Sequence, residues 1–283
     1  MKTKNIISKV ILHAILIAAC VCVLFPIAYT VLASFKTNAE ILTKPENLFP
    51  EHFSFENYVT AWNSTNFDVK IMVLNSLYYT VLSVIITLIT SVFPGYAFAR
   101  GKFRLKGFWF GVFSAMMFIT LGSISIYPQF DVFAWLHIPI TLNGLIFTKV
   151  FGVSTVNILL VRSYIMTLPV ELDEAARIDG CSFIGTGVRV IFPLIVPIAA
   201  TIGMLAFQSS WNDYLMPMVF TMSTPAQRTL IVGLMALKGS DGAASSWNLM
   251  LAGSVIAMIP VIIMFLIGNK YIIGGLVDGA VKG

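Results

Sequence analysis

The sequence predicts an all-α integral membrane protein: six transmembrane helices, with a short helical loop on the cytoplasmic side between spans four and five. Three observations carry that prediction. Of the 283 residues, 58% are hydrophobic and 11% charged, well outside the usage of soluble domains. Six segments, at about 10–34, 72–99, 108–130, 142–166, 190–219 and 249–268, each reach the roughly 20 apolar residues a bilayer crossing needs. Lysine and arginine are also shared unevenly between the two sides of those segments. No soluble domain and no short-period repeat interrupts them, so residues 1–283 read as one transmembrane domain.

Basic residues set the orientation. Lys2, Lys4 and Lys9 precede the first span. Arg100, Lys102, Arg104 and Lys106 lie between the second and third with no acid among them. Arg177 and Arg189 sit in the loop after the fourth, and Lys270 and Lys282 in the tail, making eleven on that side. The other side has five: Lys36, Lys44, Lys70, Arg228 and Lys238. Lys149 and Arg162 fall inside the fourth segment, where their long stems suit snorkelling to an interface or to a partner carboxylate. Six spans then place both termini and the loop at 168–189 in the cytoplasm. The net charge of +5 follows from this topology and calls for no nucleic-acid partner.

Lys2–Lys9 followed by an apolar run also fits a cleaved signal, and Ile17-Ala18-Ala19-Cys20 has the look of a lipoprotein processing site. The apolar run continues past Cys20 to Ala33, which favours an uncleaved first span. Cys20 and Cys22 read as small membrane hydrophobes and Cys181 as a free thiol. An odd count in such settings argues against a disulfide framework or a metal site.

Outside the membrane, Phe35–Ile71 is the longest loop. Its Phe49, Phe53, Phe55, Tyr58 and Trp62 suit an interfacial helix pair. Either packing over the bundle or contact with a soluble receptor would use them. The second outer segment, Phe220–Trp247, contains the small-residue stretch Gly239–Ser246, which reads as flexible. Seven prolines (Pro26, Pro94, Pro128, Pro193, Pro197, Pro217 and Pro260) fall in the spans, and each removes a backbone hydrogen bond. Pro193 and Pro197 are the better hinge candidates, because the inner loop enters the fifth span there; static bends are the alternative.

The inner loop itself is the most informative stretch. Pro169 suits a first helical position. Val170–Asp179 then reads as a short helix with Glu171, Asp173 and Glu174 in its first turns, where the helix dipole favours acids. Leu172, Ala175 and Ala176 share one face, and the two alanines leave room for a foreign surface. Gly180 stands where a left-handed turn ends the helix, and Ser182 is placed to cap the next one. On composition alone, an ordinary charged loop between spans explains as much.

The spacing goes further. Glu174-Ala175-Ala176, three residues, Gly180, nine residues, then Val190-Ile191-Phe192-Pro193 resembles the EAA motif of permease subunits in binding-protein-dependent ABC importers. That pattern reads Glu-Ala-Ala, three residues, Gly, nine residues, Ile, one residue, Leu-Pro. Val190 stands for its Ile and Phe192 for its Leu, both apolar substitutions. Tyr96-Ala97-Phe98-Ala99-Arg100, Trp211-Asn212 with Pro217, and the terminal Gly279-Ala280-Val281-Lys282-Gly283 look like the carbohydrate-type branch, in particular maltose-importer permeases that end in such a tail.

The resemblance implies a transport subunit of the cytoplasmic membrane rather than an enzyme. It implies a second permease subunit, a cytoplasmic ATPase dimer, an extracytoplasmic solute-binding protein and a sugar as substrate. Glu174, Ala175, Ala176, Asp179, Gly180 and Pro193 would couple to the ATPase, and Gly279–Gly283 would reach its interface. ATP and magnesium would be bound by that ATPase and no cofactor by this chain; consistently, no GxxxxGK[ST] loop, HExxH, CxxC or serine elbow occurs. His13, His52 and His137 lack ligand spacing.

Polar groups at membrane depth need partners. Asn75, Ser76, Asn157, Gln208, Ser209, Ser210, Asn212 and Asp213 are the candidates. Asn75, Gln208, Trp211, Asn212, Asp213 and Tyr214 would suit a sugar path, amides and a carboxylate beside flat rings. Interhelical hydrogen bonding explains the same residues. Three other readings stay open. A secondary transporter would need acids in the span cores, and only Asp213 is near one. An importer for glycerol phosphate or a polyol would, for a phosphate, want an arginine cluster. A membrane interaction protein would make the loop spacing a coincidence.

Overall fold

The computed structural model describes residues 2–64, 68–119, 122–237 and 246–280, with side chains from residue 9 to 269 except Ser123. Every regular element among them is helical. By contacts the chain divides into two units, residues 1–73 with 232–259 and residues 74–231 with 260–283.

In the first unit, α1 (Lys2–Ala33) runs through the first predicted span without a break, Pro26 included. Its apolar side chains stand exposed from Val10 to Ile27, as suits a helix whose solvent is lipid. The outer loop folds into two short helices, α2 (Asn38–Thr43) and α3 (Glu56–Asn63). Thr37 caps α2 by accepting the Glu40 N–H at 3.2 Å. Phe35 gathers Phe53, Phe55 and Tyr58 at ring distances of 5.7, 5.3 and 5.5 Å. Buried Asn57 donates to the Ser34 and Lys36 carbonyls at 2.7 and 2.8 Å and accepts from Asn248 at 2.8 Å.

The second span is one helix, α4 (Val69–Arg100), continuous through Pro94. The third predicted span is divided between α5 (Lys106–Met116) and α6 (Ile126–Trp135), with a 3₁₀ turn at Gly122–Ser125 between them. Gly122 sits at φ +53, a backbone that cannot continue a right-handed helix. The fourth bends by 47° between α7 (Leu142–Phe151) and α8 (Thr155–Thr167). Gly152 ends α7, and Ser154 restarts the chain by accepting the Asn157 N–H.

The loop helix is α9 (Glu171–Ile178). The fifth predicted span starts as α10 (Phe183–Thr186), passes through a π turn at Gly187–Ile191 into α11 (Phe192–Leu194), and bends by 78° into α12 (Val196–Trp211). Pro193 has no N–H to offer four residues back, and just before it the Phe192 N–H reaches Gly187, five residues back. The span expected to run to Val219 stops at Trp211, and α13 (Leu215–Phe220) follows separately. In the outer segment, a turn at Pro225–Gln227 and α14 (Leu230–Ala236) precede the small-residue stretch, whose residues 239–245 lie outside the described ones. The last span is α15 (Trp247–Ala280), unbroken through Pro260.

Among the described residues, three helices are thus long and apolar enough to cross a membrane, and the two bent pairs would add one crossing each. Two apolar centres lie among the described residues of the second unit. One joins Val92 and Tyr96 of α4 to Val161, Ile165, Ile191, Ile195 and Ile202. The other joins Tyr79 at the opposite end of α4 to Phe133, Leu142, Leu145, Ile146 and Phe220.

Candidate functional site

The inner loop is held by its own turns first. Gly180 adopts φ +79. Its N–H bonds to the Arg177 carbonyl at 3.0 Å, and the Cys181 N–H to the Ala176 carbonyl at 2.9 Å. These two bonds form a Schellman motif, which satisfies carbonyls a helix end leaves open. Nothing lies within 4 Å of where a Gly180 Cβ would stand, so the backbone angle, not crowding, requires the glycine. Ser182 accepts the Gly185 N–H at 3.1 Å and starts α10. Pro169 stands two residues before the first helical position, Glu171, because Val170 is the N-cap.

The faces of α9 differ from the sequence expectation. Glu171, Glu174, Ala175 and Ile178 point outward at helical spacing, and Ile178 is 86% exposed. Ala176 is buried with Asp173, because α9 packs against the π turn. Only one of the two EAA alanines is therefore free for a foreign surface.

A second helix grips this loop. Arg100, the last residue of α4, meets the Asp173 carboxylate at 2.9 Å, with side chains 12% and 7% exposed. The same guanidinium donates to the Leu168 carbonyl at 2.6 Å and toward that of Pro169 at 3.4 Å. One turn back, the Tyr96 hydroxyl donates to the Phe183 carbonyl at 3.0 Å, and the two rings stack at 4.6 Å. A Cβ on Gly187 would come within 2.8 Å of the Tyr96 ring, so glycine there permits the approach. Lys106 closes the end of α4 by donating to the Gly101 carbonyl at 2.9 Å. A groove of 340 Å³ lies alongside, lined by Phe93, Tyr96, Phe183, Ile184 and Phe192 among others. Sequence reading gave Tyr96, Arg100 and Asp173 no such role. The signal available was the Tyr96–Arg100 run itself, noted only as a likeness.

Residues 72–274 match the profile of a family described as binding-protein-dependent transport system inner membrane component. The chain belongs to that family. It is therefore a membrane transport component of the ABC permease type, not an enzyme, and its place is the cytoplasmic membrane. The arabinooligosaccharides transport system permease protein AraQ of Bacillus subtilis is 33% identical over 92% of this chain and 91% of its own. The sulfoquinovosyl glycerol transport system permease protein SmoH of Agrobacterium fabrum is 31% identical over 92% and 89%. A chain of a bacterial ABC transporter involved in the import of the acidic polysaccharide alginate superposes with a TM-score of 0.83, at 25% identity, covering 95% of this chain and 98% of that one.

Four of the candidate polar groups in the permease's spans, Asn75, Ser76, Asn212 and Asp213, lie in internal hydrogen bonds. Asn75 donates to the Ala226 and Arg228 carbonyls at 2.8 and 3.0 Å. Ser76 accepts the Leu230 N–H at 2.8 Å. Asp213 accepts from the Tyr79 hydroxyl at 2.8 Å. Asn212 bonds back to the Gln208 carbonyl at 2.9 Å. Trp211 is buried and stacked on Phe207, whereas Gln208, Asn212 and Tyr214 are exposed. Lys149, expected at an interface or a carboxylate, lies over the Tyr79 ring at 5.6 Å and within the field of the Asp213 carboxylate, whereas Arg162 faces the Phe110 ring at 4.2 Å, a cation–π placement. In the tail, Gly279 and Ala280 end α15, and Val281, Lys282 and Gly283 lie outside the described residues.

Proposed function

We propose that this permease is the membrane-spanning subunit of an ATP-driven importer for a sugar or oligosaccharide, coupled to a separate ATPase through the loop at 168–189. One observation carries the reading: α9 turns Glu171, Glu174, Ala175 and an 86% exposed Ile178 outward on a loop whose two ends are fixed. An exposed isoleucine between charges, on a rigid mount, is what a docking surface needs. The saccharide cargo rests on what the relatives' names state they transport.

In this reading the six apolar segments are six crossings, α5 with α6 forming the third, and both termini are cytoplasmic. A receptor delivers the sugar outside, and a second permease subunit completes the path. Each permease seats its loop helix on one copy of an ATPase dimer, which holds ATP and magnesium. Glu174 makes a charge contact there, Asp179 and Gly180 shape the turn, and Gly279–Gly283 reach the same interface. Asn75, Gln208, Trp211, Asn212, Asp213 and Tyr214 line or brace the outer part of the path.

The test is purification of this chain from its native membrane in mild detergent, with every companion identified. An ATPase with a phosphate-binding loop, a second permease and a receptor are expected, and Glu174→Lys should lose the ATPase alone. The receptor, screened against saccharides, polyols and glycerol phosphate, then names the cargo. A chain that emerges alone or as a homo-oligomer would end the importer reading.

A further inference from the structure

We propose that Arg100 and Tyr96 are positioning residues that clamp the inner loop to α4, so that α4 carries the loop's motion outward. This rests on the coupling reading above and adds the route. The chain's own continuation is poorly suited to the task. From α10 onward it passes a π turn, Pro193 and a 78° bend at Ile195, each of which interrupts a helix's regular hydrogen bonding. By contrast α4 is a single helix of 32 residues, with Pro94 alone inside it and no break there.

Its last two turns hold the loop from both sides. Arg100 takes the entry, through Leu168, Pro169 and Asp173. Tyr96 takes the exit, through Phe183 and the close face of Gly187. The planar fork of arginine can serve a carboxylate and a carbonyl at once, which lysine cannot. Burial of both charged side chains keeps water from replacing either contact. At the opposite end, Asn75, Ser76 and Tyr79 tie α4 to Ala226, Arg228, Leu230 and Asp213. A push on α9 therefore has a continuous bonded path to the outer segment at 213–230.

The experiment uses the full complex, with both permeases and the ATPase dimer, in lipid nanodiscs. Cys20, Cys22 and Cys181 are replaced by serine. Spin labels at Arg177 and Leu74, both exposed, report the loop-to-α4 distance without ATP and after trapping with Mg-ATP and vanadate. ATP hydrolysis is read on the same samples. In the otherwise native chain the distance should stay constant on trapping. In Asp173→Asn it should change by about 1–5 Å, the scale of helix shifts in switching proteins, while hydrolysis continues. The exchange Arg100→Asp with Asp173→Arg should restore constancy. Should Asp173→Asn not fold, Arg100→Lys keeps the charge without the fork and should show the same change. A constant distance in every variant, or a changing one in the native chain, overturns the clamp and leaves the coupling reading standing. Failure of the native complex to hold an ATPase overturns both.

Discussion

Among the described residues, one ion pair ties the inner loop at 168–189 to α4, and one lies within the outer loop at 35–64. At the inner loop Arg100 and Asp173 meet with 12% and 7% of their side chains exposed. In the outer loop Lys44 and Glu51 meet with 50% and 52% exposed. The inner pair joins residues 73 positions apart in sequence, from two different helices. The outer pair is local, and so is most of what holds that loop. Lys36 donates to the Asn47 carbonyl, Glu40 accepts the Glu51 N–H at 2.9 Å, and Asn57 gathers Ser34 and Lys36. A loop folded on itself makes a cover. A loop tied to a long helix can pass force to it.

The largest effect that would break this contrast is at Gly180. Proline is locked near φ −65°, whereas the position needs +79, and proline also lacks the N–H that reaches Arg177. Gly180→Pro should insert normally but lose the co-purifying ATPase and all ATP-driven uptake in vesicles. Gly180→Asn, which tolerates the left-handed backbone, should keep both. Normal uptake by the proline variant would show that the loop's shape is irrelevant.

Next is Asn57→Ala in the outer loop. It strands two carbonyls and the Asn248 amide in a buried setting, at a cost of about 2–3 kcal/mol. Thermal unfolding of the purified protein should fall accordingly, with ATP hydrolysis unchanged. A loss of hydrolysis would mean that the outer loop also transmits.

Gly187→Ala follows. The added carbon would stand 2.8 Å from a ring already stacked on Phe183, so overpacking should cost about 1–2 kcal/mol. Here stability should fall and the Arg177–Leu74 distance should change on trapping, because the same contact serves both. If stability alone moves, the Tyr96 contact is packing and not part of the clamp.

What the sequence revealed of these loops follows from how far apart the deciding residues are. The stop at Gly180 and the cap at Ser182 depend on neighbours within four residues, and both are where their residue types predict them. The helices α1, α4 and α15 were legible because an unbroken apolar run leaves the backbone no other way to satisfy itself in lipid. The interruptions at Gly122, Gly152–Ser154 and Ile195 were not, because each segment stays apolar across its break. Ala176 was expected to face a partner and instead packs inward, since which stripe of a short helix turns out depends on the π turn beneath it. The clamp was the least legible, because nothing local to Arg100 points to Asp173. Asp213 and Asn75 were read as path or glue. Their bonds to Tyr79 and to the 226–228 carbonyls now predict that Tyr79→Phe weakens the fold by about 1 kcal/mol without changing the uptake KM, unless Asp213 also meets the cargo.

The smallest effect, and the sharpest control, is Lys44→Ala. Like the inner pair, the Lys44–Glu51 pair joins a cation to a carboxylate, but it is exposed, local, and built on lysine rather than arginine. The hydrogen bond and charge of Glu51 hold the Lys44 ammonium above its ordinary value, and Lys44 holds the Glu51 carboxyl below its own. What Glu51 contributes is present above its unfolded value and fades as pH falls through the lowered one. What Lys44 contributes is present below its ordinary value and fades as pH rises through the raised one. The pair is therefore fully formed at neutral pH, where it should show its greatest effect. Solvent around both groups still screens that effect to almost nothing. Unfolding temperature at neutral pH should be the same for Lys44→Ala and the native chain, with or without added salt. A loss as large as that of Asn57→Ala would mean that pairing itself, and not burial, sets how firmly these loops are held, and the contrast between them would rest on nothing.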